Sequence, residues 1–366
     1  MRGNLKVILT HPFLGNYGGM LQAYALFKIL SSFKENVKII KYEANYLPVN
    51  FRSCFRYFKQ YIKYLFGISQ NSYQVWSKLS IARKFSRKVT FLSELKLAKL
   101  TRNDSFVVGS DQVWRPEYCK YLKSTPFFFL NFASKEQRSN SIAYAASFGV
   151  DTWEASEDET LIVASLLRDF KSVSVREHSG VKICREKFGV DAVRMPDPTL
   201  LLSCIEYEKI MQDEKRVGGG LAAYILDESL QIAKLLDVLS CSMNMRLIHM
   251  MPRANASRMR ERLDMSVSRW LRTIHDCSCF VTDSFHGCVF AIIFNKPFVC
   301  LGNTLRGNTR FDSLLSIYGL ESRMVSSGCF DDILRIMREP IDWMKVNAIR
   351  ESERKMGIEF LKNNLT

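Results

Sequence analysis

The sequence predicts an α/β fold of two Rossmann-like domains with a cleft between them. Three observations carry this. Short apolar runs alternate with helical stretches along most of the chain, the βαβ rhythm of parallel sheets. Residues 195–220, MPDPTLLLSCIEYEKIMQDEKRVGGG, interrupt that rhythm with proline, charge and three glycines. The chain has 366 residues, enough for two such units, with 47% hydrophobic and 24% charged residues, as in a folded globular protein.

The first half opens with the strand LKVILT (5–10), then GNYGGMLQ (15–22), read as a glycine-rich loop leading to the helix AYALFKIL. NVKIIKYE (36–43) is the second strand, and SFVVGSDQVW, SIAYAASFG and KSVSVRE are β-prone runs ending in polar turns. The second half begins with LAAYILD (221–227) and continues through MRLIHMMP, CFVTDS and PFVCLG; from Pro340 to Thr366 a charged helix closes the chain. The expected units are therefore 1–205, with a basic helical insertion at about 51–95, then 215–339, and a terminal helix at 340–366.

The longest apolar run, CVFAIIF (288–294), is far shorter than the ~18 residues of a membrane span, and the N-terminus lacks a signal-peptide layout. A cytoplasmic protein is expected. Ten cysteines are scattered without a C-x-x-C pair, so neither a metal site nor a disulfide framework is predicted. Cys277, Cys279, Cys288 and Cys300 read as small buried hydrophobes.

The net charge of +15 is unevenly placed. Ala44 to Ser93 contains no Asp or Glu but nine basic residues, of which Arg52, Arg56, Lys59 and Lys63 recur at helical spacing. Residues 51–88 could lie peripherally on an anionic membrane surface at the inner face, or form a solvated basic face. Nucleic acid is not expected, because no reading motif accompanies the charge.

His286 has the most telling setting of the five histidines. CFVTDSFHGCVFAIIF reads as strand, polar turn and apolar helix, with Asp283 or Ser284 as the cap and His286 in the first turn. Outward N–H groups there attract anions, and an imidazole beside them can donate a proton near neutral pH. Arg176 ends the strand SVSV on the expected cleft edge. Its guanidinium suits a carboxylate or phosphate, or pairs locally with Glu177 or another acid. Ser110, Asp111 and Gln112 occupy a strand-to-helix turn, where Asp111 accepts a sugar hydroxyl or serves as a cap. The spacing G-x-x-G-G in GNYGGMLQ fits neither the dinucleotide fingerprint nor the P-loop. Gly15, Asn16 and Gly18 are read instead as the lip facing a sugar acceptor, with Asn16 and Gln22 as its hydrogen-bonding side chains.

In this order, GNYGGMLQAYAL, FVVGSDQVW, YAASFG, SVRE, MPDPTLLL and TDSFHG…NKPFV resemble the polysaccharide pyruvyl transferase family, from about Lys6 to about Arg323. The resemblance implies a two-domain enzyme of GT-B-type architecture. It would move enolpyruvate from phosphoenolpyruvate onto two hydroxyls of a sugar or lipid-linked oligosaccharide, releasing phosphate, with no cofactor and no metal. The family's helix-start histidine falls on His286 and its strand-end arginine on Arg176. Other branches read Arg-Leu-His where this chain has Ser284-Phe285-His286, so the donor needs other cationic partners; Lys296, Arg306 and Arg310 are the candidates, with Ser284 and Gly287 at the helix start. The competing readings are a GT-B glycosyltransferase using a nucleotide sugar and a non-catalytic glycan-binding protein. No Asp or Glu lies between Ser284 and Phe311 to hold a nucleotide sugar.

Overall fold

The structure, a computed structural model, describes residues 4–13, 15–33, 35–42, 70–252, 264–302, 308–325 and 330–365. Arg306 and the basic residues from Arg52 to Lys63 lie outside the described residues.

Seven parallel strands form the first sheet: β1 (Leu5–Leu9), β2 (Asn36–Lys41), β3 (Phe91–Ser93), β4 (Ser105–Val108), β5 (Ile142–Ala146), β6 (Ser172–Val175) and β7 (Val193–Arg194), in the order β3-β2-β1-β4-β5-β6-β7. The second sheet, also parallel, orders β8 (Leu221–Tyr224), β9 (Leu247–His249), β10 (Cys279–Thr282), β11 (Phe298–Leu301) and β12 (Met324–Val325) as β12-β11-β10-β8-β9. The central strands β4, β5, β8, β10 and β11 are buried at every position, as strands covered on both faces must be. Among the described residues, nine of the twelve strands coincide with runs read from the sequence. The other three, β3, β7 and β12, are two- or three-residue edge strands whose conformation comes from the neighbour they pair with. β3 adds the stretch around Phe91 to the sheet through pairs such as Ile39 with Phe91, so the insertion ends before it.

Six helices matter for the site: α1 (Tyr17–Ser32), α2 (Gln70–Ser86), α3 (Val267–Asp276), α4 (Phe285–Ile293), α5 (Thr309–Tyr318) and α6 (Trp343–Leu365). α1 starts earlier than expected: Gly18 and Gly19 belong to its first turn, and Asn16 is the cap. α4 is buried at all nine positions, which its all-round hydrophobic sequence requires. It lies between the halves and packs on α1, α3 and α5.

The halves share one apolar core. A single cluster runs from Ile8, Val107 and Tyr144 of the first sheet, through Phe290 of α4, to Phe280 and Phe298 of the second sheet. Tyr17 stacks on Trp270 with ring centroids 5.3 Å apart, and its hydroxyl donates to the Met265 carbonyl at 2.8 Å. α6 clasps the two halves. Arg194 pairs with Glu353, Arg354 donates to Leu201 O at 2.9 Å, and Arg350 donates to Ile293 O at 2.7 Å. Cys277, Cys279, Cys288 and Cys300 are buried free thiols. Among the described residues no helix is long and apolar enough to cross a membrane.

Candidate active site

Parallel sheets present their strand carboxyl ends on one edge, where ligands of open α/β folds bind. Here the ends of β1, β4, β5 and β6 supply His11, Asp111, Ser147 and Arg176 in turn, and the end of β10 supplies Ser284 and His286. The turn after β10 shows how local chemistry sets the geometry. Asp283 accepts from Leu226 N and Asp227 N at 2.7 and 2.9 Å, tying β10 to the loop beyond β8. Ser284, not Asp283, caps α4 by accepting from Gly287 N at 3.4 Å. Gly287 itself is required by close packing, since a Cβ there would stand 2.5 Å from Thr282 Oγ1.

His286 enters the cleft from that first turn and meets α1. A Cβ on Gly18 would lie 2.0 Å from His286 Nδ1, and one on Gly19 would lie 3.3 Å from Asp111 Oδ2. The first turn of α1 is thus flanked by an imidazole and a carboxylate. Asp111 has φ 68, a left-handed conformation rare outside glycine, and its Oδ1 accepts from Gln112 N at 2.9 Å.

Asp197 joins the two halves of the site. It is 1% exposed, and Oδ2 lies 2.9 Å from Arg176 Nη1, 3.3 Å from Ser110 Oγ and 3.5 Å from His286 Nε2. The last is an ion-pair distance without hydrogen-bond geometry. Oδ1 accepts from Thr199 N and Oγ1 at 3.0 and 2.7 Å. Arg176 also donates from Nε to Glu177 at 3.0 Å and from Nη2 to Ser147 Oγ at 3.0 Å, while its guanidinium lies 4.2 Å over the Phe285 ring. Both sequence readings of Arg176 are therefore constrained: it stands on the cleft edge, and internal acids already engage it.

Burial alone would raise the Asp197 carboxyl, but the charges of His286 and Arg176 and the Thr199 hydrogen bond outweigh it and hold the group well below the usual carboxylate range. Asp111 behaves likewise. Burial raises it, and His286, Arg176, His11 and Arg310 together bring it down. Burial and the like charge of Arg176 lower Arg310 to about 10. Burial also lowers His11, against the opposing pull of Asp111.

Several expected site residues serve the fold. Gln22 is fully buried; its amide donates to Thr10 Oγ1 at 2.8 Å and Gly19 O at 2.9 Å and accepts from Ser110 N at 3.1 Å. Asn16 Oδ1 caps α1 by accepting from Gly19 N at 3.2 Å. Ser110 Oγ donates inside the first half, to Ala145 O at 3.1 Å. Gln112 packs beneath Gly149, where a Cβ would reach 1.9 Å from its Oε1. Gly15, at φ 81, backs onto α2, with room for no Cβ against Lys78. Lys296 follows the carboxyl end of α4, away from His286, and its charge acts on Cys204 and Cys277. Arg310, in the first turn of α5, does reach the site. With Arg176, Asp197 and Phe285 it lines a cavity of about 20 Å³, room for roughly one water. Sequence reading passed over His11, Asp197 and Ser147. The proline-flanked Asp197 in MPDPT was the available signal, but its charged partners Arg176 and His286 lie 21 and 89 residues away.

The chain matches the family described as polysaccharide pyruvyl transferase over residues 16–304. Among curated proteins no relative matches. Similar solved structures include the spinosyn forosaminyltransferase SpnP (11% identity, all of both chains covered, TM-score 0.49). They also include a UDP-N-acetylglucosamine 2-epimerase from Rickettsia bellii (9%, 98% of each chain, TM-score 0.49) and the glycotransferase of kitacinnamycin (10%, all of both chains, TM-score 0.47).

Proposed function

We propose that this chain, which belongs to the polysaccharide pyruvyl transferase family, transfers enolpyruvate from phosphoenolpyruvate to two hydroxyls of a sugar, forming a cyclic ketal and releasing phosphate. The observation that carries this reading is His286, held at the first turn of α4 between Gly18 and the Asp197 carboxylate, where the two halves meet.

The reaction needs a proton for the methylene carbon of the enol, stabilisation of the cationic carbon that results, and capture of two anionic groups. His286 is the proton donor, and Asp197 balances the imidazolium charge. Arg176 sets the position of Asp197 and, through Phe285, of the α4 first turn. Arg310 supplies the charge that the Ser284-Phe285-His286 sequence omits. It stands in the same site, whereas Lys296 stands at the other end of α4. The remaining first-turn amides of α4 add a partial positive charge beside the donor's phosphate or carboxylate.

Purified protein given phosphoenolpyruvate and a panel of sugars and glycosides should release inorganic phosphate only with an acceptor present, and the product should gain the mass of one pyruvate ketal. Consumption of a nucleotide sugar instead would establish the glycosyltransferase alternative.

A further inference from the structure

We propose that His11 is the base that accepts the proton of the attacking sugar hydroxyl, and that Asp111 balances the charge His11 then carries. The inference rests on the transferase reading and assigns the proton of the first hydroxyl, which that reading leaves without a residue.

His11 stands two residues beyond β1, on the same strand edge as Asp111 and Arg176. Its ring lies edge-on to Phe128 with centroids 5.5 Å apart, and neither ring nitrogen makes a hydrogen bond in the structure. An enclosed imidazole whose nitrogens lack well-formed hydrogen bonds is costly unless something else uses it. The polar groups facing it are the carboxylate of Asp111 and the backbone of Gln112. Asp111 is the carboxylate common to both histidines, because the charges of His11 and His286 both act on it. The two imidazoles also differ in setting. His286 has Asp197 at 3.5 Å as counter-charge, as a proton donor needs. Burial lowers the proton affinity of His11 and so favours the neutral ring that a base requires.

The proton account closes. His286 gives its proton to the methylene carbon as the first hydroxyl oxygen bonds to the neighbouring carbon, and that hydroxyl's proton passes to His11. The second hydroxyl then bonds to the same carbon, the carbon–oxygen bond to phosphate breaks, and its proton leaves on the phosphate. The proton on His11 returns to His286 through solvent.

The test uses the full-length protein, phosphoenolpyruvate and whichever panel sugar supports wild-type phosphate release. His11→Ala should lower kcat about 100-fold, the usual worth of a general base, with the KM for phosphoenolpyruvate within about threefold. Added imidazole should restore part of the rate. The acidic limb of the kcat–pH profile should vanish in His11→Ala. In Asp111→Asn it should move to lower pH, because the carboxylate that supports the protonated ring is gone. A His11→Ala enzyme that keeps its rate within threefold, or keeps the acidic limb, overturns this assignment alone. Wild-type protein releasing no phosphate with any acceptor overturns the transferase reading and the assignment together.

Discussion

At the turn from β1 into α1, Asn16 caps a helix whose first residues are Tyr17, Gly18 and Gly19; at the turn from β10 into α4, Ser284 caps a helix beginning Phe285, His286 and Gly287. The two turns are built alike, from a strand end, a side-chain cap and glycine in the first turn, and they meet across the cleft. Their contributions are opposite. α4 presents a titratable side chain, whereas α1 presents the absence of one: the ring of His286 occupies the space a Gly18 side chain would fill. On the proposed reading, the α4 turn supplies the reacting group and the α1 turn holds that group in place.

The sharpest way to break that pairing is Gly18→Ala. A methyl 2.0 Å from Nδ1 and 2.7 Å from the His286 Cβ cannot be relieved by moving a flexible tip, so the ring must leave its position. Displacement of a reacting group by about 1 Å costs on the order of 100-fold in kcat. Phosphate release should fall at least that far while the protein still folds. A Gly18→Ala enzyme with near wild-type kcat would show that α1 does not position the histidine.

Asp197 gives the next effect, and it is read in stability. Asp197→Ala leaves the Arg176 guanidinium buried with Glu177 as its remaining acid, and breaking a buried ion pair typically costs about 3–5 kcal/mol. Asp197→Asn should cost less, because an amide oxygen can still accept from Arg176. The pH dependence has a definite sign. The folded carboxyl lies below its unfolded value, so its stabilisation is complete above the ordinary Asp range near ~3.9 and fades as pH falls below it. Urea unfolding at pH 7 and pH 3 should show the gap between wild type and Asp197→Asn narrowing in acid. An unchanged gap would mean that the charge of Asp197 contributes nothing to stability.

The smallest change tests the cap on the α4 side. Ser284→Ala removes an acceptor for Gly287 N and should cost about 1 kcal/mol in unfolding free energy. If Asn16→Ala at the α1 cap costs the same, the two turns are equivalent in stability and differ only in what they carry into the cleft.

Local sequence determined the α/β class and nine of the twelve strands, because buried parallel strands are written as contiguous apolar runs such as FVV, IAYAA and CFVT. It also put His286 at a helix start and Arg176 at a strand end, since caps and strand ends are properties of a few adjacent residues. The tertiary structure alone decided what those residues face. That Gly18 opposes His286, that Asp197 links Arg176 to His286, and that Gln22 and Ser110 are absorbed into the first half all depend on contacts between residues 21 to 268 positions apart. No local period or motif records such contacts. They follow from two sheets setting their carboxyl edges against one helix, a geometry that exists only once both halves have folded.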